Sequence, residues 1–213
     1  MSSDESAKSK DELLLSLEEL RNTGVRIGTK VRIKEMRKFI KFIRQDGLSF
    51  LDLEKINERI KVASRFLARF PPERVLVVSG KEFGMQPVKK FCEYTRCIPI
   101  VGRFPPGLLS NPYYKDYREA DVVLVSDPKV DYKAITEASI VGIPVVAICD
   151  TDNSCAYVDL IIPGNNKGRR SLAVLFYLLA REILRVRGEI PPDGDLPESY
   201  SAFEAPLIME GGL

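Results

Sequence analysis

Residues 120–153 read ADVVLVSDPKVDYKAITEASIVGIPVVAICDTDN. Asp121–Asp127 and Ile143–Asp150 are apolar runs of strand length with no polar alternation. Strands of that kind are buried on both faces, as in a parallel sheet. Between them Tyr132–Val141 reads as a helix, stopped at Gly142. Strand, helix and strand at this spacing form a right-handed βαβ unit.

The same grammar extends outward on both sides. VLVVS at 75–79 predicts a strand, Gln86–Tyr94 a helix and CIPIVG at 97–102 a second strand. DLIIP at 159–163 completes five strands, and Arg169–Val186 is the longest apolar helix. Alternating β and α elements predict an α/β fold with a parallel sheet. Upstream, Ser49–Arg69 carries an apolar stripe at Leu51, Leu53, Ile56, Ile60, Ala63, Phe66 and Leu67 and reads as a helix stopped by Pro71-Pro72. Before it, apolar and basic residues alternate at Val25, Ile27, Val31 and Ile33. Period two predicts a strand, bent or paired at Gly28-Thr29-Lys30, with a turn at Gln45-Asp46-Gly47. The whole suits one domain at 21–187: a basic arm, read as an N-terminal hairpin, and helix at 21–70, then an α/β core at 71–187. An acidic extension at 1–20 precedes it and an acidic, proline-containing tail follows at 188–213. Residues 1–10 read as disordered, Asp11–Leu20 as a short helix, and the tail as extended, with too little apolar surface to order itself.

Net charge is +2, but it is unevenly spread. Residues 21–70 hold fourteen basic and five acidic side chains, and residues 163–187 hold six and one. The two ends are acidic, with six acidic against two basic residues in 1–20 and six against none in 188–213. Such division points to a polyanion partner more than the net charge does. Arg26, Lys30, Arg32, Lys34, Arg37, Lys38, Lys41 and Arg44 are the candidate phosphate contacts of the first zone. Phe39 and Phe42, interleaved with them, read as packing residues. In the second zone PGNNKGRR precedes a helix, where N–H groups and the helix dipole favour an anion. Asn166, Lys167, Arg169 and Arg170 are its candidates.

Loops after parallel strands face ligands. Gly80-Lys81 resembles the end of a phosphate loop, but Val75 stands where the earlier glycine belongs and Glu82 where Ser or Thr belongs. No dinucleotide fingerprint is present. Asp127, Asp150 and Asp152 could gather a magnesium ion or cap the turns that follow them, and their Asp-Pro and Asp-Thr-Asp-Asn contexts suit capping. Histidine is absent, which removes His-based triads and the commonest neutral metal ligand. The four cysteines, at 92, 97, 149 and 155, lack zinc-ribbon spacing and read as reduced thiols. The expectation is no catalysis, no metal and no cofactor. GRFPPGLLSNP at 102–112 offers Arg103 as a fork for phosphate or carboxylate on a backbone stiffened by prolines 105, 106 and 112. No secretory segment or bilayer-length apolar run is expected, so the cytoplasm is the default.

FLARFPPERVLVVSGKEFGMQPVKKFCEY (66–94), GRFPPGLLSNPYY (102–114), the 120–153 stretch and VDLIIPGNNKGRRSLAVLFYLLAREIL (158–184) together resemble the small-subunit ribosomal protein S-two family. The likeness is to its archaeal form, related to the eukaryotic laminin-receptor-like protein, and runs from about residue 20 to 188. The pieces GRFxPGxxxNP, DxxxxxDPxxDxxAIxEA, GIPVVAxCDTDN and PxNNKGR are specific only in combination. Two positions depart from the pattern: Arg26 replaces the usual histidine of G-V-H-x-G, and Ala120 replaces a common proline. Phe70-Pro71-Pro72 passes straight into a strand, without the bacterial coiled-coil insertion. The resemblance implies a three-layer, flavodoxin-like domain. It also implies a non-catalytic ribosomal constituent that contacts small-subunit rRNA and neighbouring ribosomal proteins. Two alternatives are an α/β nucleotide- or sugar-binding enzyme and an adaptor that binds proteins through its acidic tail.

Overall fold

The computed structural model describes residues 14–15, 20 and 22–206. The disorder expected for residues 1–10 lies outside them, as does most of the short helix expected at Asp11–Leu20. The elements run β1 (Ile40–Ile43), β2 (Ser49–Leu51), α1 (Leu53–Leu67), β3 (Val75–Ser79), α2 (Glu82–Thr95), β4 (Ile98–Val101), β5 (Val122–Val125), α3 (Tyr132–Val141), β6 (Val145–Cys149), β7 (Leu160–Pro163) and α4 (Arg169–Arg187).

The five core strands form one sheet in the order β4-β3-β5-β6-β7, parallel throughout. β3, β5 and β6 are buried along their whole length, as continuous apolar runs require. The chain moves one way across the sheet through α2 and the other way through α3. Right-handed crossovers therefore place these helices on opposite faces. α4 packs against α1 and α2, while α3 packs against β5 and β6. This is the α/β fold with a five-stranded parallel sheet flanked by helices that the sequence predicts.

Three local expectations need correction. Alternation at 25–33 predicts a strand, and helix is expected from Ser49. Instead Ser49–Leu51 is β2, pairing antiparallel with β1 across the turn at Gly47. Residues 26–29 lie along the other side of β2, with Gly28 N donating to Ser49 O at 2.9 Å and Leu51 N to Arg26 O at 2.8 Å. Lys34–Phe39 is a short 3-10 helix that buries Met36 and Phe39. α1 starts only where Asp52 caps it by accepting from Glu54 N at 3.3 Å. The apolar stripe ran on through β2 because Phe50 and Leu51 are also core residues. Second, α2 begins at Glu82 rather than Gln86. Gly84 makes that turn possible: a Cβ there would lie 2.2 Å from Ser79 Oγ.

The third correction concerns the tail. Phe203 is 0 % exposed. It stacks on Tyr94 with centroids 5.8 Å apart and meets Tyr177 edge-on at 5.7 Å. Leu196 and Ala205 are buried too. An acidic, proline-containing segment thus docks through Phe203, with Tyr200 against Tyr177 beside it, a burial that composition alone does not reveal. Phe203→Ala should lower the unfolding free energy by about 3–5 kcal/mol in urea titrations, the usual cost of deleting a fully buried aromatic ring. A loss within ~0.5 kcal/mol would show that the tail does not pack there.

Candidate nucleic-acid interface

At the carboxyl ends of the strands, where an α/β fold offers its ligand edge, the polar side chains after β5 and β6 are engaged with one another. Asp127 accepts from Lys81 Nζ at 3.1 Å and from Asn153 Nδ2 at 2.9 Å, and also from Lys129 N at 2.9 Å. Asp150 accepts from Thr151 N at 2.6 Å, and both oxygens of Asp152 receive Lys167 Nζ at 2.7 Å. The three carboxylates weighed for magnesium are spent on turns and ion pairs. They form no cluster suited to a metal among the described residues.

The N-terminal segment closes this edge from above. Thr29 N donates to Thr151 Oγ1 at 2.8 Å and Ile33 N to Thr151 O at 2.9 Å. Asn165 N donates to Val25 O at 2.9 Å and its amide to Gly24 O at 3.1 Å. Gly28 permits the approach, since a Cβ would lie 2.6 Å from the Thr151 methyl. A cavity of 380 Å³ opens at the reversal of strand order, between Gly80, Gly102 and Lys133. Arg103 lines it. The rest of its loop is largely core: Phe104, Leu108 and Leu109 are buried. Gly107 N and Leu109 N donate to the Glu137 carboxylate at 2.6 and 3.2 Å.

The two basic zones are treated in opposite ways. Every basic side chain of 163–187 has a partner inside the protein. Lys167 pairs with Asp150 and Asp152. Arg169 pairs with Glu204 at 2.9 Å, and Arg170 reaches the same carboxylate at 3.7 Å. Arg181 and Arg185 share Glu182 and Asp195. Arg187 donates to Thr95 O at 2.8 Å. Asn166 is 0 % exposed and donates to Ile148 O and Asn153 Oδ1. The expectation that its side chain meets RNA does not fit: it ties the loop to β6. Lys167, Arg169 and Arg170, the candidates at PGNNKGRR, each face an internal carboxylate, although the Arg170 side chain remains largely exposed.

The first zone is left open. Lys30, Arg32, Lys34, Arg37, Lys38, Lys41 and Arg44 are all exposed. Of these seven, Lys41 and Arg44 have carboxylate partners among the described residues, Asp52 at 3.4 Å and Asp46. Arg44 beside Asp46 holds that exposed carboxyl down at about 2. Arg26 is half-buried, its guanidinium 5.2 Å from the Phe50 ring centre and 5.9 Å from that of Phe42. Lys38 lies over the Phe39 ring at 5.0 Å. Phe42, expected to pack inside, is 45 % exposed and stacks flat on Phe50 at 4.8 Å.

A sequence model of the family "Ribosomal protein S2" matches residues 113–185. The chain is 49% identical over 211 residues to the small ribosomal subunit protein uS2 of Thermofilum pendens, covering 99% of both chains. The chain belongs to the ribosomal protein uS2 family. The uS2 protein of Staphylothermus marinus is 52% identical over 91% of this chain and 88% of its own. That of Korarchaeum cryptofilum is 53% identical over 92% and 91%. The family is not known as enzymatic. No helix among the described residues is long and apolar enough to cross a membrane.

Two features escaped the sequence reading. Glu204 and Asp195 are internal counter-ions, and the signal was available: segments 163–187 and 188–213 are adjacent in the chain and opposite in charge. Asp131 left no such signal. It is buried under β5, accepting from Gly80 N at 2.6 Å and Ser126 Oγ at 3.1 Å. Burial, opposed by these donors, pushes its carboxyl up to about 6. The folded-state value lies above the unfolded one of about 3.9. Its contribution to stability is therefore full below about pH 4 and lost as pH rises through about 6. Wild-type stability measured against Asp131→Asn should fall by about 2–3 kcal/mol across that window. A flat difference would contradict the shifted carboxyl.

Proposed function

We propose that this chain is a structural constituent of the small ribosomal subunit of the cytoplasm. In that role it contacts rRNA through residues 26–44 and neighbouring ribosomal proteins through other surfaces. The observation that carries the RNA assignment is the contrast in charge compensation. Five of the eight candidate cations of the first zone, Lys30, Arg32, Lys34, Arg37 and Lys38, are exposed and make no ion pair among the described residues. The second zone is neutralised from within. Free cations release counterions when they meet phosphates, whereas cations already paired must first give up a carboxylate. Backbone bonds to Thr151 and Asn165 hold the open zone in place, so its charges are presented on a fixed frame.

Arg103, at the switch-point cavity, is proposed as a further single contact outside the main surface. Within this reading Lys167, Arg169 and Arg170 are positioning residues for the tail and the β6 edge. Their contact with RNA would need the displacement of Glu204 or Asp152. An enzyme reading gains nothing from the ligand edge, where the carboxylates and Lys81 are engaged with one another.

The test is RNA affinity across a salt series. Each phosphate contact contributes a slope of roughly −0.7 to −0.9 in log affinity against log salt. Replacing Lys34, Arg37 and Lys38 by Gln should flatten the slope by about two to three units. Replacing Arg169 and Arg170 by Gln should leave it within about half a unit of wild type. The opposite pattern would place the RNA surface at the α4 end.

A further inference from the structure

β1 is the open edge of the hairpin. β2 lies between it and residues 26–29, and no strand among the described residues pairs its outer side. A cleft of 430 Å³ runs along that edge, lined by Arg32, Arg37, Ile40, Lys41, Phe42 and Ile43. Half of this lining is cationic and half apolar. Phe42 and Ile43 are exposed at 45 % and 50 %. The Phe42 ring is not loose, because the parallel stack on Phe50, within 7°, fixes its plane. Arg32 and Arg37 make no ion pair among the described residues, and Lys41 reaches Asp52 only at 3.4 Å.

Cations alone suffice to hold a duplex, whose bases are stacked inside and offer no face to an aromatic ring. A fixed, half-exposed phenyl ring set between guanidinium and ammonium groups suits a different ligand. An unstacked base has a free π-face, and its own phosphates lie within reach of the flanking cations. We propose that this cleft takes an unpaired nucleotide of RNA, its base against Phe42 and the aliphatic wall, its flanking phosphates on Arg32, Arg37 and Lys41. The proposal rests on the reading of residues 26–44 as an RNA surface and adds that the surface selects a loop or bulge over a duplex. An added protein strand is the less fitting occupant. It would use the backbone edge of β1 and leave two arginines unspent.

The test uses the full chain and two RNAs of equal length, one a stem–loop with an unpaired loop of mixed sequence, the other a blunt duplex. Affinities are read by fluorescence anisotropy at several salt concentrations. The expected result is a preference for the stem–loop. Phe42→Ala should weaken stem–loop binding about tenfold, the usual scale for losing one base–aromatic stack. It should leave the salt slope and the duplex affinity unchanged, and Phe42→Trp should restore binding. Equal affinity of wild type for both RNAs, with Phe42→Ala silent, would overturn the cleft proposal and leave the RNA surface standing. A loss shared equally by both RNAs would mark Phe42 as structural and also overturn it. Failure of both RNAs to bind wild type would overturn the surface itself. If a Thr/Glu-alternating peptide bound with new amide-exchange protection at Lys41 and Ile43, while stem–loop RNA gave none, the edge would belong to a protein strand.

Discussion

Thr151 ties the segment before β1 to the end of the parallel sheet. Its hydroxyl and carbonyl oxygens accept the backbone N–H groups of Thr29 and Ile33, and its methyl packs where Gly28 has no side chain. Asn165, at the end of the next strand, takes up Gly24 and Val25 in the same way. These bonds do two things at once. They cover the β6 and β7 end of the sheet's carboxyl edge, and they fasten the most basic segment of the chain to the rigid sheet. The segment proposed to meet RNA is therefore held on the sheet rather than left as a free arm.

The second organising effect is electrostatic and internal. The acidic tail is drawn along α4 by Phe203 and lays Glu204 and Asp195 against Arg169, Arg181 and Arg185. Arg181 is buried, so its partners offset a desolvation cost as well as a charge. Half-exposed pairs such as Arg170 with Glu204 contribute little stability by themselves. Such pairs set carboxylates beside the cations of α4, whereas Lys30, Arg32, Lys34, Arg37 and Lys38 make no ion pair among the described residues.

The five core strands and the crossover helices could be read from the sequence because burial on both faces leaves long unbroken apolar runs. The switch from β1 and β2 to α1 could not, since Phe50, Leu51, Leu53 and Ile56 are all core residues and no period separates them. The charge of both basic zones was legible as runs of Arg and Lys. What was not legible is the internal pairing of Lys167, Arg169 and Arg170 with Asp150, Asp152 and Glu204, some close in sequence and some far. Residue type also misled at Asn166, a polar residue on a glycine-rich turn that lies wholly inside. Local composition reports how much charge a segment carries. Which charges remain free is decided by tertiary pairing.

Lysine reactivity tests that division most directly. The protein is treated with an amine-acylating reagent, alone and with small-subunit rRNA, and each site is quantified by mass spectrometry. Lys30, Lys34 and Lys38 should react readily in the free protein and be protected by RNA. Lys167, held by Asp150 and Asp152, should react slowly in both states. Strong RNA protection at Lys167 with Lys30, Lys34 and Lys38 unchanged would contradict the assignment of the open cationic surface.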